Sequence, residues 1–331
     1  MSRIFISGRP RTNIQAKEQW DSLHIAVVLL KQFCLIGLRP PGLWPGVRLS
    51  CGWPWVCSAP DMMGQFYCGT SGLVLGVPNK QAFPEEFRGG TRLEYYASLF
   101  NSIEINSSHY KIPQRATFAK WADSVPAGFR FSVKLWQGIT HEPGLHFIPM
   151  DVDRFMYAAA GLSSKKGCLL VQLPPRVKAD RAGQLERLLE RILVAGDGHG
   201  NGGFTGDGQW RIAVEFRDRS WYTRDTGALL ERYGAAGVIQ DMPLSNLTEP
   251  MGNTSFVYKR YHGIAGDYRG GYPCELLRDE SEKINYWLKD GKDVYVYFNN
   301  TIGEAYQNVR SMQGFVLNRL SARSPADGGA G

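Results

Sequence analysis

The sequence contains no closely spaced pair of cysteines. Its six cysteines are scattered singly over 331 residues, with no CxxC motif and no histidine at the spacing of a metal ligand. A disulfide framework and a zinc knuckle are therefore excluded as organising features. The pattern favours reduced, mostly buried thiols in a cytoplasmic protein, and we expect neither a resident metal nor a cofactor.

A long apolar run is absent as well. The best candidate, residues 25–38, is interrupted by Lys31 and Gln32 and falls short of the roughly 20 apolar residues that a membrane helix needs. This run also lies too far from Met1 for an ordinary secretory signal. The sequence therefore predicts no membrane span.

The excess of positive charge is small over most of the chain. The formal net charge is +7, but residues 1–63 hold seven Lys and Arg against three Asp and Glu. The remaining residues hold 31 Lys and Arg against 28 Asp and Glu. Bulk charge therefore gives little support to nucleic acid as a partner.

Residues 1–63 differ in composition from the rest of the chain. After the apolar run they are rich in Pro, Gly and Trp and show neither a helical nor a strand period, so we expect a poorly ordered leader. Met62 and Met63 immediately precede the first good strand pattern, which suggests that translation begins there and that the leader is an upstream extension. Recovery of a peptide containing Met1 from the native protein would contradict this hypothesis.

Short apolar runs alternate with helical patterns from Gln65 onward. In the first helical pattern, Leu93, Ala97 and Phe100 fall at i, i+4 and i+7. The runs that we interpret as strands are 65–72, 100–110, 129–134, 168–175, 211–217, 235–243, 256–263 and 294–300. The helical patterns cover 92–100, 114–125, 152–160, 185–193, 226–233, 281–288 and 303–317.

Eight strands joined by seven visible crossovers predict an α/β fold, a single (β/α)8 TIM-type barrel. An open doubly wound sheet or two smaller α/β halves would be the alternatives, but no linker separates two halves. We place the barrel at 64–319 and a flexible tail at 320–331. The glycine-rich segment 195–209 follows a helix and precedes a strand, so it is interpreted as a flexible insertion away from the site and not as a phosphate loop.

Polar side chains stand at the carboxyl end of every predicted strand. Functional groups of such barrels lie at these ends. Because alternate residues share a face of a strand, Arg260 and His262 point the same way. The predicted site residues are Ser71, Glu104, Asn106, Lys134, Gln172, Glu215, Arg217, Asp241, Arg260, His262, Asn299 and Asn300, with Tyr110 at the end of the run 100–110 and His141 in the loop after the third strand.

Several long motifs resemble those of the domain of unknown function family 72, also called YecE-like. They are GTSG (69–72), RLEYYASLFNSIEINSSHY (92–110), GFRFSVK (128–134), ITHE (139–142), LVQLPP (170–175), AVEFRDRSW (213–221), YKRYHG (258–263) and VYVYFNN (294–300). The resemblance runs from about Phe66 to Met312. It implies a TIM-type barrel with a polar pocket at one end and no established activity.

The chain departs from this family at two places. After GTSG the family continues with aromatic residues, whereas this chain has LVLG at 73–76. After EFR the usual His-Pro-Ser-Trp is replaced by DRSW at 218–221. Ligand contacts implied by the resemblance are therefore least secure at the loop after the first strand.

Two classes of function fit these residues. The first is an enzyme acting on a small phosphate- or carboxylate-bearing substrate through an anion clamp of Lys134, Arg217 and Arg260. Its reaction would be a hydrolysis, of either a phosphoester or a glycosidic bond. Its catalytic candidates for acid/base chemistry are Glu104, Glu215, Asp241 and His262. A metal-dependent version would use the same four residues as ligands, but the interleaved basic side chains compete for the carboxylates.

The second class is a binding module without chemistry. Its ligand would be an anionic metabolite, or nucleic acid stacked on rim aromatics such as Tyr110, Trp136 and Trp221. Nucleic acid is the weaker choice because the folded part carries so little net charge. The oligomeric state is not predicted.

Overall fold

Short buried strands alternate with helices along the chain. The computed structural model describes residues 63–196 and 210–321. The strands are β1 (Phe66–Thr70), β2 (Ser102–Ile105), β3 (Arg130–Lys134), β4 (Lys166–Gln172), β5 (Arg211–Glu215), β6 (Ala236–Gly237), β7 (Ile239–Gln240), β8 (Phe256–Tyr261) and β9 (Asp293–Phe298). The helices are α1 (Arg92–Leu99), α2 (Ser107–Tyr110), α3 (Arg115–Asp123), α4 (Gln137–Thr140), α5 (Pro149–Ala159), α6 (Ala182–Gly196), α7 (Arg224–Arg232), α8 (Cys274–Lys289) and α9 (Ala305–Ser321).

The strands pair in parallel in two sheets. One sheet has the order β1-β9-β8-β7 and the other has the order β2-β3-β4-β5-β6. The first strand pairs with the last, since Phe66 lies opposite Val294. The fold is therefore α/β with parallel sheets, as the alternation of strand and helix patterns predicts.

A tyrosine from helix α1 lies at the junction of β1 and β2. The Tyr96 hydroxyl accepts a hydrogen bond from the Thr70 backbone N–H at 2.7 Å and donates one to the Ser102 carbonyl at 3.1 Å. Beyond it, the Gly72 N–H donates to the Glu104 carbonyl at 2.7 Å, next to a parallel bridge between Ser71 and Glu104. The Asn101 side chain adds hydrogen bonds to the backbone of Cys68 and Phe66. The two sheets thus meet here through a single bridge and several side chains.

The second junction of the two sheets lies between β6 and β7. Only Val238 separates these two-residue strands, and its N–H donates to the Val214 carbonyl of β5 at 2.9 Å. The sequence pattern predicts one continuous strand over 235–243. The structure shows two short pieces, each paired with a different neighbour.

Apolar residues form two separate layers on opposite faces of the strands. The larger layer lies between strands and helices and includes Ile103, Val133 and Val296. The smaller layer contains side chains of opposite parity, such as Leu170, Tyr258 and Tyr297. Alternation along each strand accounts for both layers, because successive side chains point to opposite faces.

Charged residues also occupy the amino ends of the strands. Arg211 forms an ion pair with Asp293 at 2.5 Å, and the Asp293 carboxylate accepts the Gln65 backbone N–H at 2.7 Å. The Arg130 guanidinium lies 5.9 Å from the ring centre of Tyr67. This end of the strands is tied by its own pairs and is separate from the carboxyl-end cluster described below.

Other differences from the predicted elements are small. Helix α8 begins at Cys274, seven residues before the predicted 281. The strand predicted over 100–110 is wrong for Ser107–Tyr110, which form helix α2, and the short helix α4 was not predicted. Except for Met63, the predicted leader at 1–63 lies outside the described residues, as does most of the glycine-rich segment 195–209 and of the tail. Within 63–196 and 210–321, no helix combines the length and the apolar character that crossing a membrane requires.

Candidate functional site at the carboxyl ends of the strands

Arg260, at the carboxyl end of β8, is the centre of a buried charged cluster. Its side chain is 1% exposed, and its guanidinium binds two carboxylates. One terminal nitrogen donates to Glu104 Oε1 at 2.8 Å, and the other donates to Glu215 Oε2. Both carboxylates are fully buried, so this shared counter-ion offsets the large cost of burying two negative charges.

Glu104 of β2 accepts hydrogen bonds at both of its carboxylate oxygens. Tyr258 donates to Oε2 at 2.5 Å, and Ser71 donates to Oε1 from the end of β1. Ser71 in turn accepts a hydrogen bond from Asn106 Nδ2 at 2.6 Å. Side chains from β1, β2 and β8 therefore converge on one carboxylate.

Glu215 of β5 remains ionised in this environment. Burial by itself would raise the pKa of Glu215, but Arg217 and Arg260 outweigh that effect and hold the pKa well below its usual range. Arg217 lies two residues further along the chain and donates to Glu215 Oε1. A carboxylate in this state is an acceptor of hydrogen bonds and not a proton donor near neutral pH.

His262 lies between Asp241 and the two arginines. Its Nδ1 is 3.2 Å from Asp241 Oδ1, while its Nε2 is 3.2 Å from a nitrogen of Arg217 and 3.2 Å from a nitrogen of Arg260. Because guanidinium groups only donate, Nε2 must be the acceptor and Nδ1–H the donor. Burial lowers the pKa of His262, so the neutral imidazole is the stable form.

Asp241 is the most exposed carboxylate of this cluster, at 30% side-chain exposure. It accepts hydrogen bonds from the His262 backbone N–H at 2.7 Å and from the Tyr272 hydroxyl. Tyr272 is also joined to this loop, because its hydroxyl accepts the Gly263 N–H at 2.6 Å. Asp241 therefore fixes the orientation of His262.

Lys134, at the end of β3, differs from the other cations of the cluster. Burial and the nearby Arg260 lower the pKa of its amine to about 8. Within the described part of the chain its ammonium group has no hydrogen-bond or ion-pair partner. Lys134, Arg217 and Arg260 are balanced in number by the buried carboxylates Glu104 and Glu215 and the partly exposed Asp241, and Lys134 is the cation of the three that has no ion pair among the described residues.

Two more polar atoms of the cluster lack partners among the residues that the structure describes. They are Nε of Arg260 and Oδ1 of Asn106, and both atoms are buried. Buried polar atoms are nearly always hydrogen-bonded. Together with the Lys134 ammonium they present two donors and one acceptor beside the ion pairs.

The predicted site residue His141 lies beside His109, which the sequence patterns did not single out. Their ring centres are 5.0 Å apart, and Lys134 contributes to lowering the pKa of both. Desolvation is the larger cause for each, and each pKa falls to about 4. The motif NSSHY carries His109 directly after β2, a signal that was available in the sequence.

Four further predicted residues are less closely joined to the cluster. Gln172 is buried and donates to the Leu173 carbonyl at 3.4 Å. Asn300 donates to the Gly270 carbonyl at 2.8 Å and thereby ties two loops together. Tyr110 is 71% exposed, and Asn299 is half-buried with its backbone N–H on the Tyr261 carbonyl at 2.7 Å.

The cluster does not form a metal centre in the described ranges. No group of three or more His, Cys, Asp or Glu side chains in residues 63–196 and 210–321 is arranged to hold a metal ion. Arg260 bridges Glu104 and Glu215, two of the four residues that the metal-dependent hypothesis names as ligands. The donor set is therefore suited to an anion more than to a cation.

These features define a class of protein: a parallel α/β protein with a mixed-charge cluster at the carboxyl ends of its strands. The chain belongs to the family described as "Protein of unknown function DUF72", whose profile matches residues 67–327. This membership confirms the resemblance found in the motifs. It assigns no reaction or ligand.

Curated relatives carry family-level names. The chain is 26% identical over 267 residues to the UPF0759 protein YunF of Bacillus subtilis strain 168, a match covering 70% of this chain and 88% of the relative. It is 30% identical over 103 residues to the UPF0759 protein YecE of Escherichia coli K12, covering 31% of this chain and 38% of the relative.

Solved structures of the family share the fold. A DUF72 family protein from Enterococcus faecalis V583 superimposes with a TM-score of 0.61 at 21% identity, covering 76% of this chain and 96% of that one. Another, from Thermotoga maritima MSB8, gives a TM-score of 0.56 at 22% identity and covers 76% and 99%. These likenesses describe the fold alone.

Proposed function

We propose that the carboxyl-end cluster binds a small phosphate- or carboxylate-bearing substrate and that the protein is an enzyme acting on it by acid/base chemistry, with hydrolysis as the reaction class. One observation carries the proposal: the half-buried ammonium of Lys134 lies beside two arginines and has no partner among the described residues. An unpaired charge in such a place costs stability. An anionic ligand would supply the missing partner.

The geometry supports different roles for the acid/base candidates. Glu104, Glu215 and His262 are each held by two or more hydrogen bonds, which supports a role in positioning Arg217 and Arg260. The pKa of Lys134 is lowered to about 8 and its ammonium has no partner among the described residues, so we assign the proton transfer to it. Its ammonium would bind the anion and give its proton to the leaving oxygen as water attacks and the bond to that oxygen breaks, and the amine would then regain a proton from the attacking water.

A non-catalytic binding module is the second candidate. The observation that favours it is the pairing of Glu104 and Glu215 with Arg260, since a satisfied network needs no reaction to explain it. The ligand of such a module would be an anionic metabolite. Nucleic acid has weaker support, from the exposed ring of Tyr110.

We also propose that the two sheets form one closed (β/α)8 barrel spanning 64–319. Support comes from the Ser71–Glu104 bridge at one junction and from the single-residue gap at Val238 at the other. A closed ring would bring all the strand ends to one rim.

We also propose a cytoplasmic location, which is supported by the free thiols of Cys68, Cys168 and Cys274.

Calorimetric titration with inorganic phosphate and with citrate tests the anion site. We expect Lys134→Met to weaken binding of at least one of these anions about tenfold or more, because it removes the charge and keeps most of the apolar stem. Lys120→Met is the matched control, since Lys120 is exposed on α3. Equal affinities for wild type and Lys134→Met would contradict the proposal.

Turnover separates the two candidate functions. A phosphomonoester and a glycoside that carries a free carboxylate are incubated with the wild type and with Lys134→Met, and product release is measured. An enzyme would show hydrolysis of one substrate that is lost in the variant. Anion binding without hydrolysis of either substrate would favour the binding module.

A further inference from the structure

His109 is a buried histidine with one ring nitrogen that is hydrogen-bonded and one that has no partner among the described residues. The residue is 6% exposed, and its Nδ1 lies 3.0 Å from the Leu135 carbonyl oxygen. A carbonyl only accepts, so the proton must be on Nδ1 and the lone pair on Nε2. Nε2 has no hydrogen-bond partner in residues 63–196 and 210–321.

The surroundings of this ring select the kind of group that Nε2 would bind. Lys134 and Arg260 both disfavour a positive charge at His109. A cationic donor, such as an ammonium group of a ligand, would meet the same repulsion. A bare anionic oxygen is also unsuitable, because it offers no hydrogen to the Nε2 lone pair. A neutral hydroxyl group satisfies both conditions.

An exposed aromatic ring lies beside His109. Tyr110 is 71% exposed and its ring centre lies 5.3 Å from that of His109, edge to face. The ring centre of His141 lies 5.0 Å from that of His109. The apolar ring of Tyr110 can pack against the carbon skeleton of a ligand whose polar group reaches His109.

We propose that the ligand of this site carries a hydroxyl group near its anionic group, and that His109 Nε2 accepts the hydrogen bond from that hydroxyl. This inference rests on the proposed anion site at Lys134 and narrows its ligands to hydroxylated phosphates or hydroxy acids. His109 then acts as a specificity-determining residue. Lys134 recognises the charge and His109 recognises the hydroxyl.

Two pairs of probes test this assignment by calorimetric titration. One pair is 2-hydroxyethyl phosphate and ethyl phosphate, and the other is lactate and propionate, so each pair differs by one hydroxyl. We expect the hydroxylated member of at least one pair to bind the wild type about tenfold more tightly. In His109→Phe this ratio should fall to about one, whereas the exposed-histidine control His146→Phe should keep it.

The ratio of the two affinities within a pair distinguishes recognition of the hydroxyl from a structural effect, since damage to the fold weakens the binding of both members alike. If His109→Phe does not fold, His109→Asn takes its place, because its amide nitrogen stands near the position of Nδ1 and can donate to the Leu135 carbonyl, while no atom replaces Nε2. Equal binding within both pairs by the wild type, or a preference that survives both His109 variants, would overturn the inference while leaving the anion site intact. Failure of all four probes to bind would remove the anion site and this inference with it.

Discussion

At the residue scale, the cluster is defined by which charges are paired and which are not. Arg260 neutralises Glu104 and Glu215 together, and Arg217 adds a second contact to Glu215. Among the residues that the structure describes, the Lys134 ammonium lies beside these pairs without a hydrogen-bond or ion-pair partner. The paired groups build the site, and the Lys134 ammonium, Arg260 Nε and Asn106 Oδ1 are the groups available to a ligand.

The lowered pKa of Lys134 predicts how anion binding depends on pH. The free amine has a pKa of about 8, so it is charged below that pH and neutral above it. Sulfate affinity should be constant from about pH 6 to 7 and should fall by up to about tenfold per pH unit above about 8. Sulfate is chosen because its own charge does not change in this range.

Titration calorimetry at a series of pH values measures this profile. Lys134→Met is the control, and its residual sulfate affinity should show no inflection near pH 8. His109 and His141, with pKa values of about 4, do not titrate in this window. A wild-type profile that is flat from pH 6 to 10 would show that Lys134 does not bind the anion.

Much of the residue list follows from the sequence, but the pairing does not. Strand parity places Glu215 with Arg217 and Arg260 with His262 on common faces, and the structure brings these residues together. Which carboxylate meets Arg260 depends on contacts between residues 156 and 45 positions apart in the chain. His109 was missed because it lies on helix α2, where the strand period no longer applies.

At the element scale, the junction of β1 and β2 depends on helix α1. Tyr96 supplies the hydroxyl that satisfies Thr70 and Ser102, where a backbone ladder would otherwise be expected. Gly69 allows the close approach, since a Cβ there would lie 1.9 Å from the Ser102 carbonyl oxygen. The capping box of Thr91 and Glu94 begins this helix and so helps to place Tyr96.

Removing the Tyr96 hydroxyl should therefore destabilise the protein. We expect Tyr96→Phe to lower the free energy of unfolding by about 1–3 kcal/mol, because the buried Thr70 N–H loses its acceptor. Urea denaturation followed by circular dichroism measures the change. Tyr286→Phe, at a tyrosine 69% exposed on α8, should stay within about 0.5 kcal/mol of the wild type.

If Tyr96→Phe lowers the free energy of unfolding no more than the Tyr286→Phe control does, the Tyr96 hydroxyl does not stabilise the junction of the two strands.

Helix α1 itself is predictable from its apolar spacing. The role of Tyr96 is not, because apolar spacing identifies a buried tyrosine without showing what its hydroxyl meets. The split between β6 and β7 escaped prediction for a similar reason, since an apolar run does not reveal its pairing partners.

At the scale of the whole molecule, the two sheet junctions decide whether the strands act as one closed ring. The first junction keeps a hydrogen bond across it, from the Gly72 N–H to the Glu104 carbonyl. At the second junction the chain itself passes from one sheet to the other, and the Val238 N–H bonds to the Val214 carbonyl within its own sheet. The alternation of eight apolar runs with helical patterns predicts that the strands pair in parallel. It does not predict that so few backbone hydrogen bonds join the strands at the two junctions.

Amide hydrogen exchange tests closure. In a closed ring, the Thr70, Gly72 and Val238 amides should exchange nearly as slowly as Tyr258 in β8, because all would open only with global unfolding. Exchange at Thr70 and Gly72 more than about a hundredfold faster than at Tyr258 would show that this junction opens independently. Fast exchange at Val238 alone would place the opening at the other junction.

The pairing of β1 with β9 has a consequence for synthesis of the chain on the ribosome. Phe66–Thr70 emerges early, but its ladder partner Asp293–Phe298 is translated more than 220 residues later. Until then this strand presents unsatisfied backbone groups to the cell, the situation that invites association with other chains. Helper proteins that shield nascent polypeptides would therefore have a defined segment to cover here.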